Sequence, residues 1–560
     1  MSAHYRRFVA AAGAFLIALT LLGTAAVPAG AVADTELSWR ECFRDVGAEF
    51  GVTFECTTVI VPLDYDQPNG RTIRVAMVRL PATDPEAKIG SIFLNPGGPG
   101  GSGIDFALGF GPFAEVFWGP EVRARFDIVG FDPRGVARST PIQCFANLDQ
   151  ALQAFPPIPF PMTLEEVDLF IAADALLASN CERRAGPIAA HMSTANVARD
   201  LDYLRERVGD EQLTYVGLSY GTYLGQTYAN LFPDRVRSVV IDGVLDPIAW
   251  ANVEGLVPFS TRLRSDEGAQ ETLVRFFELC EQAPPGNCAF APNSADRFAA
   301  LAAELLVAPV EVTDPATGET FLFTYQDLIG NALGALYNPF AFPSLAELLA
   351  ALEEFVSAAE LGILVEGLQE STGIHTRRDQ PNYPNFVESF PAVACEDSNN
   401  PTDYQVWFDQ GVSADATFGY FGRIWTWASS PCAQWPFDDG DRYMGPFTAS
   451  TSNPVLVIGN LYDPATRYEG AQLARALLPN SALVTVDTPG HTSLGLSFCA
   501  GFITGQYLLD PGVANGFDGT VCPQEFSPFD LTIARASGVL GIAAEVRTEV
   551  MELIALRPVR

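Results

Sequence analysis

The sequence predicts an α/β fold with a mostly parallel central sheet and a large, mainly helical cap inserted before the last two core strands. Three observations indicate this class. Short apolar runs, typical of buried strands, recur before residue 247 and return after residue 451. One run passes through a tight turn between glycines directly into a helical stretch. Between residues 247 and 450 the apolar spacing instead follows the helical period.

These changes of pattern divide the chain into four parts. Residues 1–33 form a targeting segment, 34–246 the first part of the sheet core, 247–450 the helical cap, and 451–560 the second part of the core with a cysteine-bearing C-terminal tail. A cap over the edge of the sheet would exclude water and select substrates. The stretch 531–560 is amphipathic and suggests no role.

The targeting segment has the layout of a signal peptide. Arg6 and Arg7 precede an apolar run over residues 8–22, and Ala-Val-Ala at residues 31–33 provides a cleavage site. The apolar run is short for a membrane span, and no cysteine follows it for lipid attachment. We therefore expect a secreted or extracytoplasmic protein, in the periplasm or cell envelope, after cleavage near Ala33, with no stable membrane anchor.

Six apolar runs before the cap and two after it are predicted to be strands. They cover residues 57–61, 72–78, 91–94, 127–131, 213–216 and 238–241, then 454–459 and 482–487. Within the cap, the helical spacing predicts helices over residues 271–281, 295–306 and 344–360. A capping box of Ser344 and Glu347 opens the last of these helices.

A glycine-rich loop, residues 95–103, follows the predicted strand at 91–94. Glycines let backbone N–H groups approach a ligand with no side chain between them. Such a loop is suited to an oxyanion formed during acyl transfer, and we expect the N–H group of Gly98 to be one donor. The alternative, a phosphate-binding loop, lacks the required G-x-x-x-x-G-K-[ST] pattern.

Residues 217–221, Gly-Leu-Ser-Tyr-Gly, lie between the strand at 213–216 and a helical stretch at 222–230. This is the G-x-S-x-G nucleophile elbow in its strand-turn-helix context, which projects a serine hydroxyl into a cleft. Ser219 is the predicted nucleophile, and the N–H group of Tyr220 the second oxyanion donor. The alternative is a chance match in a chain of 48 glycines.

A serine nucleophile needs a base, and in sites of this type the base follows the serine along the sequence. His491 is favoured because it lies in a loop directly after the strand at 482–487. The other histidines fit less well: His4 is in the targeting segment, His191 precedes the nucleophile, and His375 has no strand before it.

The base in turn needs an orienting acid. Asp463 follows the strand at 454–459, so we expect it to lie at the same edge of a parallel sheet as His491. The alternative role for this residue is a turn-forming aspartate ahead of a proline. Asp242 and Asp246, after the strand that follows the elbow, are rival acids.

Together these motifs resemble the α/β-hydrolase peptidases of the proline iminopeptidase group, most closely their secreted bacterial tripeptidyl aminopeptidase-like branch. The matching segments are 61–65, 97–100, 132–135, the elbow, Asp463, His491 and the cysteine-bearing tail. Two positions depart from the pattern. Asn95 and Pro96 replace the His before the glycines of iminopeptidases, as in the secreted branch, and Ala137 replaces a common glycine.

The resemblance implies an α/β-hydrolase fold and a serine exopeptidase that releases short peptides, or residues, from free N-termini through an acyl-enzyme, without a cofactor. Tripeptides are the products typical of the branch. The first alternative is an exported carboxylesterase or lipase with the same catalytic residues. The second is a cell-envelope binding protein on a hydrolase fold, against which the complete set of catalytic residues argues.

An aminopeptidase must hold the α-ammonium group of its substrate, which is mostly charged at neutral pH. Glu396 and Asp397 lie in the cap beside Cys395, where a disulfide would fix their direction. We expect them to bind the substrate amine. The alternative for such a pair of acids is a solvated surface.

Ten cysteines, all after the targeting segment, indicate an oxidising compartment. Because they come as sequential neighbours, we predict five disulfides: Cys42–Cys56, Cys144–Cys181, Cys280–Cys288, Cys395–Cys432 and Cys499–Cys522. The alternative is that several of the cysteines are free, buried thiols. The chain has no C-x-x-C pattern, so neither a zinc site nor a thioredoxin-like site is expected, and no metal is predicted.

The formal net charge is −34, and cleavage after Ala33 removes two arginines and no acid, which makes it −36. Such a charge argues against nucleic acid as a partner. The expected partners are peptide substrates with free N-termini. Most of the excess charge belongs to a solvated surface, and a smaller part favours cationic peptide ends.

Overall fold

The structure is a computed structural model that describes residues 37–252, 254–313, 320–357, 385–530 and 547. The strands of these residues are β1 (Arg40–Cys42), β2 (Phe54–Pro62), β3 (Thr72–Leu80), β4 (Gly90–Asn95), β5 (Phe126–Phe131), β6 (Leu213–Leu218), β7 (Val236–Asp242), β8 (Val310–Thr313), β9 (Thr320–Phe323), β10 (Val455–Tyr462), β11 (Ser481–Pro489) and β12 (Thr520–Cys522). All except β8 and β9 form a ten-stranded sheet in the order β1-β2-β3-β5-β4-β6-β7-β10-β11-β12.

The sheet is antiparallel from β1 through β2 and β3 to β5, and parallel from β5 to β12. The mostly parallel sheet predicted from sequence is therefore confirmed. Every residue of β4, β5 and β6 is buried, as expected for strands with both faces covered. The strands from β4 to β11 in the sheet order run in one direction, so their carboxyl ends lie along one edge of the sheet.

Outside the segment between β7 and β10, the described residues form ten α-helices. They are α1 (Arg44–Phe50), α2 (Gly103–Phe110), α3 (Ala114–Trp118), α4 (Pro120–Arg125), α5 (Leu148–Leu152), α6 (Leu164–Arg184), α7 (Thr194–Arg207) and α8 (Tyr220–Leu231), with α18 (Tyr468–Leu477) and α19 (Phe498–Leu509) near the C-terminus. The longest of them, α6, starts at a capping box in which Thr163 and Glu166 satisfy each other's backbone N–H groups.

The segment between β7 and β10 is mainly helical, as predicted. Its described helices are α9 (Pro247–Ala251), α10 (Phe259–Leu263), α11 (Ser265–Glu281), α12 (Ser294–Val307), α13 (Tyr325–Leu336), α14 (Phe342–Ser357), α15 (Phe386–Asp397), α16 (Tyr404–Phe418) and α17 (Gly422–Trp427). The segment also contains the antiparallel hairpin of β8 and β9, which the sequence did not predict. The limits of the cap at residues 247 and 450 stay predictions.

One detail predicted for the cap is wrong. The capping box of Ser344 and Glu347 does not open α14, because this helix begins at Phe342, directly after a turn of 3₁₀ helix at Pro339–Ala341. The Phe342 side chain is buried in the hydrophobic core. Its burial extends the helix N-terminally, so that Ser344 lies inside the helix.

Five disulfides join the ten cysteines in the predicted pairs, which are confirmed. The predicted signal peptide and most of the stretch 531–560 lie outside the described residues. In the part of the chain that is described, no helix is long and apolar enough to cross a membrane.

Candidate active site

Ser219 lies between β6 and α8, in the sharp turn that the sequence predicts. Its φ of 56° and ψ of −125° fall in a region that costs a residue with a side chain about 1–3 kcal/mol. The flanking glycines permit this turn, because a Cβ atom added to Gly217 would lie 2.3 Å from the carbonyl oxygen of Gly221. The backbone N–H of Ser219 donates to the carbonyl of Asp242 at 3.0 Å. The turn is thus fixed to the neighbouring strand β7.

The glycine-rich loop lies directly against this turn. Gly97 has a φ of 102°, and a Cβ atom there would lie 2.5 Å from the carbonyl oxygen of Leu218 and 3.0 Å from the backbone nitrogen of Tyr220. Asn95 holds the loop by accepting from the Gly97 N–H at 3.0 Å. Tyr220 is the first residue of α8, so its N–H is not part of the helical hydrogen-bond ladder. The structure therefore brings the predicted oxyanion loop and the Tyr220 N–H together.

The far end of the glycine-rich loop is fixed by Asp132. This buried carboxylate accepts from the Ser102 hydroxyl at 2.5 Å, from the Ile104 N–H at 3.2 Å and from the Arg138 N–H at 2.9 Å. Burial raises the pKa of Asp132 to about 6, against the opposing effect of the Arg138 charge and these hydrogen bonds. Asp132 belongs to the Asp-Pro-Arg-Gly motif at 132–135, so the motif supports the loop.

Asp463 and His491 form a buried hydrogen-bonded pair. His491 Nδ1 lies 2.9 Å from Asp463 Oδ1 and 3.0 Å from Oδ2. Burial alone would raise the pKa of Asp463, but the His491 charge and several hydrogen bonds lower it below its usual value. The N–H groups of Ala465, Thr466 and Thr492 donate to the same carboxylate at 2.8 to 3.1 Å. Asp463 is therefore held as an anion.

The second nitrogen of the His491 ring is buried and makes no hydrogen bond to a described residue. The edge of the Tyr337 ring packs against the imidazole, with 5.2 Å between the ring centroids. The His491 N–H donates to the Tyr337 carbonyl at 3.0 Å. With Nδ1 occupied by Asp463, Nε2 is the nitrogen that can exchange a proton with a nucleophile.

Asp242 connects the elbow to the His491 loop without touching the imidazole. Its carbonyl accepts from Ser219, and its carboxylate accepts from the Ser493 N–H at 2.9 Å and from the Ser493 hydroxyl at 2.8 Å. Burial raises the pKa of Asp242 to about 6. The other rival acid, Asp246, caps α9 by accepting from the N–H groups of Ile248 and Ala249.

Of the remaining histidines, His4 and His375 lie outside the described residues. His191 precedes α7, and its carbonyl accepts from the Arg134 guanidinium at 3.1 Å. The Arg134 guanidinium in turn forms a buried, two-pronged ion pair with Asp200. His191 Nδ1 is buried and makes no hydrogen bond to a described residue, a serine hydroxyl included.

The two predicted amine-binding acids end α15 and are both buried. Glu396 accepts from the Met192 N–H at 2.9 Å and from the Trp435 indole at 3.3 Å. Asp397 accepts from the Thr194 N–H at 2.7 Å, from the Thr194 hydroxyl at 2.6 Å and from the indole of Trp250 at 3.2 Å. The structure thus aims both carboxylates at the start of α7.

The link from these acids to the nucleophile runs through one hydroxyl. The Thr194 hydroxyl, which is bound to Asp397, also contacts the Tyr220 hydroxyl in the residue after Ser219. Burial is the main cause that raises the pKa of Asp397 to about 7, and it raises the pKa of Glu396 well above its usual value. The nearby buried carboxylate of Asp439 raises both further.

Thr466 and Arg547 are among the residues that sequence reasoning missed, and their side chains contact the Asp463–His491 pair. The Thr466 hydroxyl donates to Asp463 Oδ2 at 3.0 Å and lies 3.2 Å from His491 Nδ1. The Asp-x-x-Thr spacing of a side-chain-capped turn was a usable signal for Thr466. Arg547 donates to the carbonyl of His491, and no local pattern in the sequence marks it.

Comparison with known proteins agrees with these observations. A family model of the alpha/beta hydrolase fold matches residues 90–263, and a second family model, described as TAP-like protein, matches residues 417–522. The serine protease Hip1 of Mycobacterium tuberculosis is 34% identical over 457 residues, which cover 78% of this chain and 81% of that protein.

Two further relatives extend over more of the chain. The tripeptidyl aminopeptidase of Streptomyces coelicolor is 30% identical over 505 residues, covering 87% of this chain and 86% of that enzyme. Carboxylesterase B of Mycobacterium tuberculosis is 31% identical over 518 residues, covering 90% and 91%. The chain therefore belongs to the tripeptidyl aminopeptidase-like family of α/β-hydrolases and is a serine hydrolase with peptidase activity.

Proposed function

We propose that this protein is an aminopeptidase that releases short peptides, tripeptides in particular, from free N-termini through an acyl-enzyme. The observation that carries the proposal is the buried Asp463–His491 pair, whose free Nε2 stands among the strand ends that also hold the nucleophile elbow. The similarity to tripeptidyl aminopeptidases over most of the chain supports the substrate class.

In this mechanism Ser219 Oγ attacks the scissile carbonyl carbon while His491 Nε2 takes the hydroxyl proton. Asp463 orients the imidazole and stabilises its charged form. The N–H groups of Gly98 and Tyr220 donate to the oxyanion, where loss of one donor typically costs about 3 kcal/mol. His491 then gives its proton to the leaving amine as the C–N bond breaks. Water, activated by the same histidine, hydrolyses the ester and frees Ser219.

Glu396 and Asp397 are our proposed ligands for the substrate ammonium group. Their support is burial beside the start of α7 and the chain of contacts from Asp397 through Thr194 to Tyr220. Among the described residues neither carboxylate forms an ion pair with a cation, so both would gain from a bound ammonium group. A free N-terminus would supply that charge.

An exported carboxylesterase with the same catalytic residues is the second candidate. A relative named carboxylesterase B, 31% identical over 518 residues, favours it. In an esterase the acids at the end of α15 would have no ammonium group to bind, and neutral esters would be the better substrates. The two candidates therefore differ in their response to charge at the substrate N-terminus.

The deciding experiment compares three chromogenic substrates with the purified chain 34–560: a free tripeptide anilide, its N-acetylated form and a short-chain ester. We expect acetylation to lower kcat/KM at least about 10²-fold, at about 1.4 kcal/mol per decade. As the control, Ser219→Ala should lower kcat about 10⁴-fold or more with an unchanged melting temperature. Equal kcat/KM for free and acetylated peptides, with faster ester turnover, would reject the aminopeptidase and favour the esterase.

The amine site has its own test. Glu396→Gln and Asp397→Asn should reduce the ratio of kcat/KM between free and acetylated peptides. Each variant removes a carboxylate that favours a charged substrate N-terminus. Asp174→Asn is a matched control, since Asp174 is another buried carboxylate, on α6, that accepts from the Tyr404 hydroxyl. If this ratio is as large in both amide variants as in Asp174→Asn, the aminopeptidase activity is still supported, but the substrate amine binds at another site.

We also propose that the protein acts outside the cytoplasm after cleavage near Ala33. Five disulfides in the described residues support an oxidising compartment. N-terminal sequencing of the protein recovered from culture medium and from envelope fractions tests this, with Asp34 expected as the first residue. Recovery of the uncleaved chain from the cytoplasm would contradict it.

A further inference from the structure

Arg547 is a fully buried arginine that contacts the loop of the proposed base from a remote position in the sequence. Its Nη1 donates to the carbonyls of Thr492 at 3.2 Å and Leu494 at 2.8 Å, and to the Thr492 hydroxyl at 3.1 Å. Its Nη2 donates to the carbonyl of Tyr337 at 2.9 Å and to that of His491. The guanidinium thus holds the backbone at His491 and just beyond it.

The loop that Arg547 holds is strained. Gly490 has a φ of 107°, and Thr492, a β-branched residue, has a φ of 63°. A β-branched residue in this region is an outlier that costs about 1–3 kcal/mol, so it persists only where neighbouring groups fix it. The N–H of Thr492 is fixed by Asp463 at 3.1 Å, and its carbonyl accepts from the Asn460 amide at 2.7 Å and from Arg547 at 3.2 Å. The arginine shares this carbonyl with Asn460 and also holds the carbonyls of His491 and Leu494.

Burying the charge of Arg547 costs free energy, because the guanidinium loses its contact with water. All five of the acceptors described for it are carbonyl or hydroxyl oxygens, not carboxylates. Burial lowers the pKa of Arg547 to about 9, against the attraction of the Asp242 and Asp463 charges. A guanidinium suits this place because its planar fork can donate to several carbonyls at once, which a lysine ammonium cannot match in geometry.

The geometry points to Arg547 as a positioning residue that holds the His491 loop so that the imidazole can serve Ser219. This assignment rests on the proposed role of His491 as the base. The contact comes from 56 residues beyond His491. A residue of the C-terminal stretch thereby completes the active site.

The main test compares Arg547→Met with Arg237→Met. Arg237 is a matched control, because its guanidinium also donates to carbonyls, those of Leu508 and Leu509, but it lies near the start of β7, away from the elbow. A base displaced by about 1 Å costs about 10²-fold, so Arg547→Met should lower kcat at least that much while KM changes less than about threefold. Arg237→Met should stay within about threefold of the wild type in both constants.

Two further variants separate positioning from general stability. Arg547→Lys keeps the charge but not the planar fork, and should remain at least about tenfold impaired in kcat at a wild-type melting temperature. In Arg547→Ala, added guanidinium ions at concentrations that do not unfold the wild type should restore kcat at least about tenfold. The same addition should restore nothing in Ser219→Ala. If Arg547→Met does not fold, the activity of Arg547→Lys and the rescue of Arg547→Ala still test the positioning role of Arg547.

A double-mutant cycle provides the final discrimination. If Arg547 acts through His491, Arg547→Met should cost nothing further in the residual activity of His491→Ala. A kcat of Arg547→Met equal to that of Arg237→Met, or an equally large extra loss in the His491→Ala background, overturns the inference. If wild-type Ser219 does not react with a fluorophosphonate, the proposed function fails and this inference with it. If it reacts and Arg547→Met reacts as fast, only this inference fails.

Discussion

Two buried aspartates border the His491 loop, and their surroundings move their pKa values in opposite directions. The pKa of Asp463 is lowered because the His491 charge and four hydrogen bonds from the Thr466, Ala465 and Thr492 groups outweigh its burial. The pKa of Asp242 is raised to about 6 because burial outweighs its bonds to Ser493. One carboxylate is thus fixed as an anion, and the other titrates near neutral pH. Such a split assigns different roles to neighbouring acids.

This difference leads to a prediction for the two aspartates. Asp463→Asn should lower kcat by about 10³-fold or more, because the amide cannot hold the imidazole tautomer or stabilise its positive charge. Asp242→Asn should lower kcat less than about tenfold, because the amide can keep a hydrogen bond to Ser493. Steady-state kinetics of both variants checks this. The reverse order of losses would assign the orienting role to Asp242.

The positions of Asp463, His491 and Ser219 at one edge of the sheet could be predicted from the sequence, because each follows a buried strand within two residues. The ends of parallel strands meet at one edge, so a local pattern was enough to bring these residues together. Arg547 could not be predicted this way. Its acceptors are backbone carbonyls, which every residue possesses, so neither side of the contact leaves a signature in the sequence.

Helix α15 is attached to the sheet core by polar side chains at both of its ends. Before its first turn, the Asn385 amide donates to the carbonyls of Gly135 at 2.6 Å and Ile142 at 2.8 Å. At its last turn, Glu396 and Asp397 accept from backbone N–H groups at the start of α7. The proposed amine ligands therefore also join a cap helix to the core.

This attachment predicts a dependence of stability on pH. The folded-state pKa of Asp397, about 7, exceeds its value of about 4 in an unfolded chain. A carboxyl group with a raised pKa contributes stability that is fully present below the unfolded value and is lost as the pH rises through the folded value. The melting temperature should therefore fall between about pH 4 and about pH 7, and Asp397→Asn should reduce that fall. Calorimetry over this range checks both.

Asp174→Asn is again the control, because burial also raises the pKa of Asp174 to about 7. It should flatten the stability profile to a similar degree and leave kcat/KM unchanged. Asp397→Asn should alter both properties. A stability profile that is the same in Asp397→Asn as in the wild type would contradict the raised pKa of this group.

The long strands could be predicted and the shortest ones could not. All eight predicted strands overlap observed strands. Six of them belong to the parallel part of the sheet, where strands covered on both faces are largely continuous apolar runs. Strands β1 and β12 contain three residues each, Arg-Glu-Cys and Thr-Val-Cys, and lie at the two edges of the sheet. Such segments have no apolar run to detect. As a result, the described residues after the cap contain three strands and not the predicted two.

The disulfides predict a ranking of stability. Cys144–Cys181 closes a separation of 37 residues and Cys280–Cys288 one of 8, and all four cysteines are buried. In the chain-entropy account, stabilisation grows with the logarithm of loop length, so the longer loop contributes about 1 kcal/mol more. Replacing both cysteines of a pair with alanine should therefore destabilise the 37-residue pair more. Denaturant unfolding measures the difference, and an equal or inverted order would indicate strain or residual structure in the unfolded chain.

Much of the overall architecture could therefore be predicted from the sequence. Strand spacing and the change of period at residue 247 gave the order of sheet and cap, and the sequential cysteines gave the disulfide pairs. The docking of α15 on the core could not be predicted from the sequence. Polar residues such as Asn385 and Glu396 resemble surface residues until the partner N–H groups and carbonyls surround them.

The five disulfides also bear on how the chain can mature. Each joins two cysteines with no other cysteine between them, so none of the closed loops overlaps another. When a chain emerges from its N-terminal end, each thiol therefore meets its partner before a competitor from the next pair arrives. The native pairing is one of about a thousand for ten free thiols. Vectorial emergence reduces this choice to one at every step, so a simple thiol oxidant suffices and no reshuffling of wrong bonds is required.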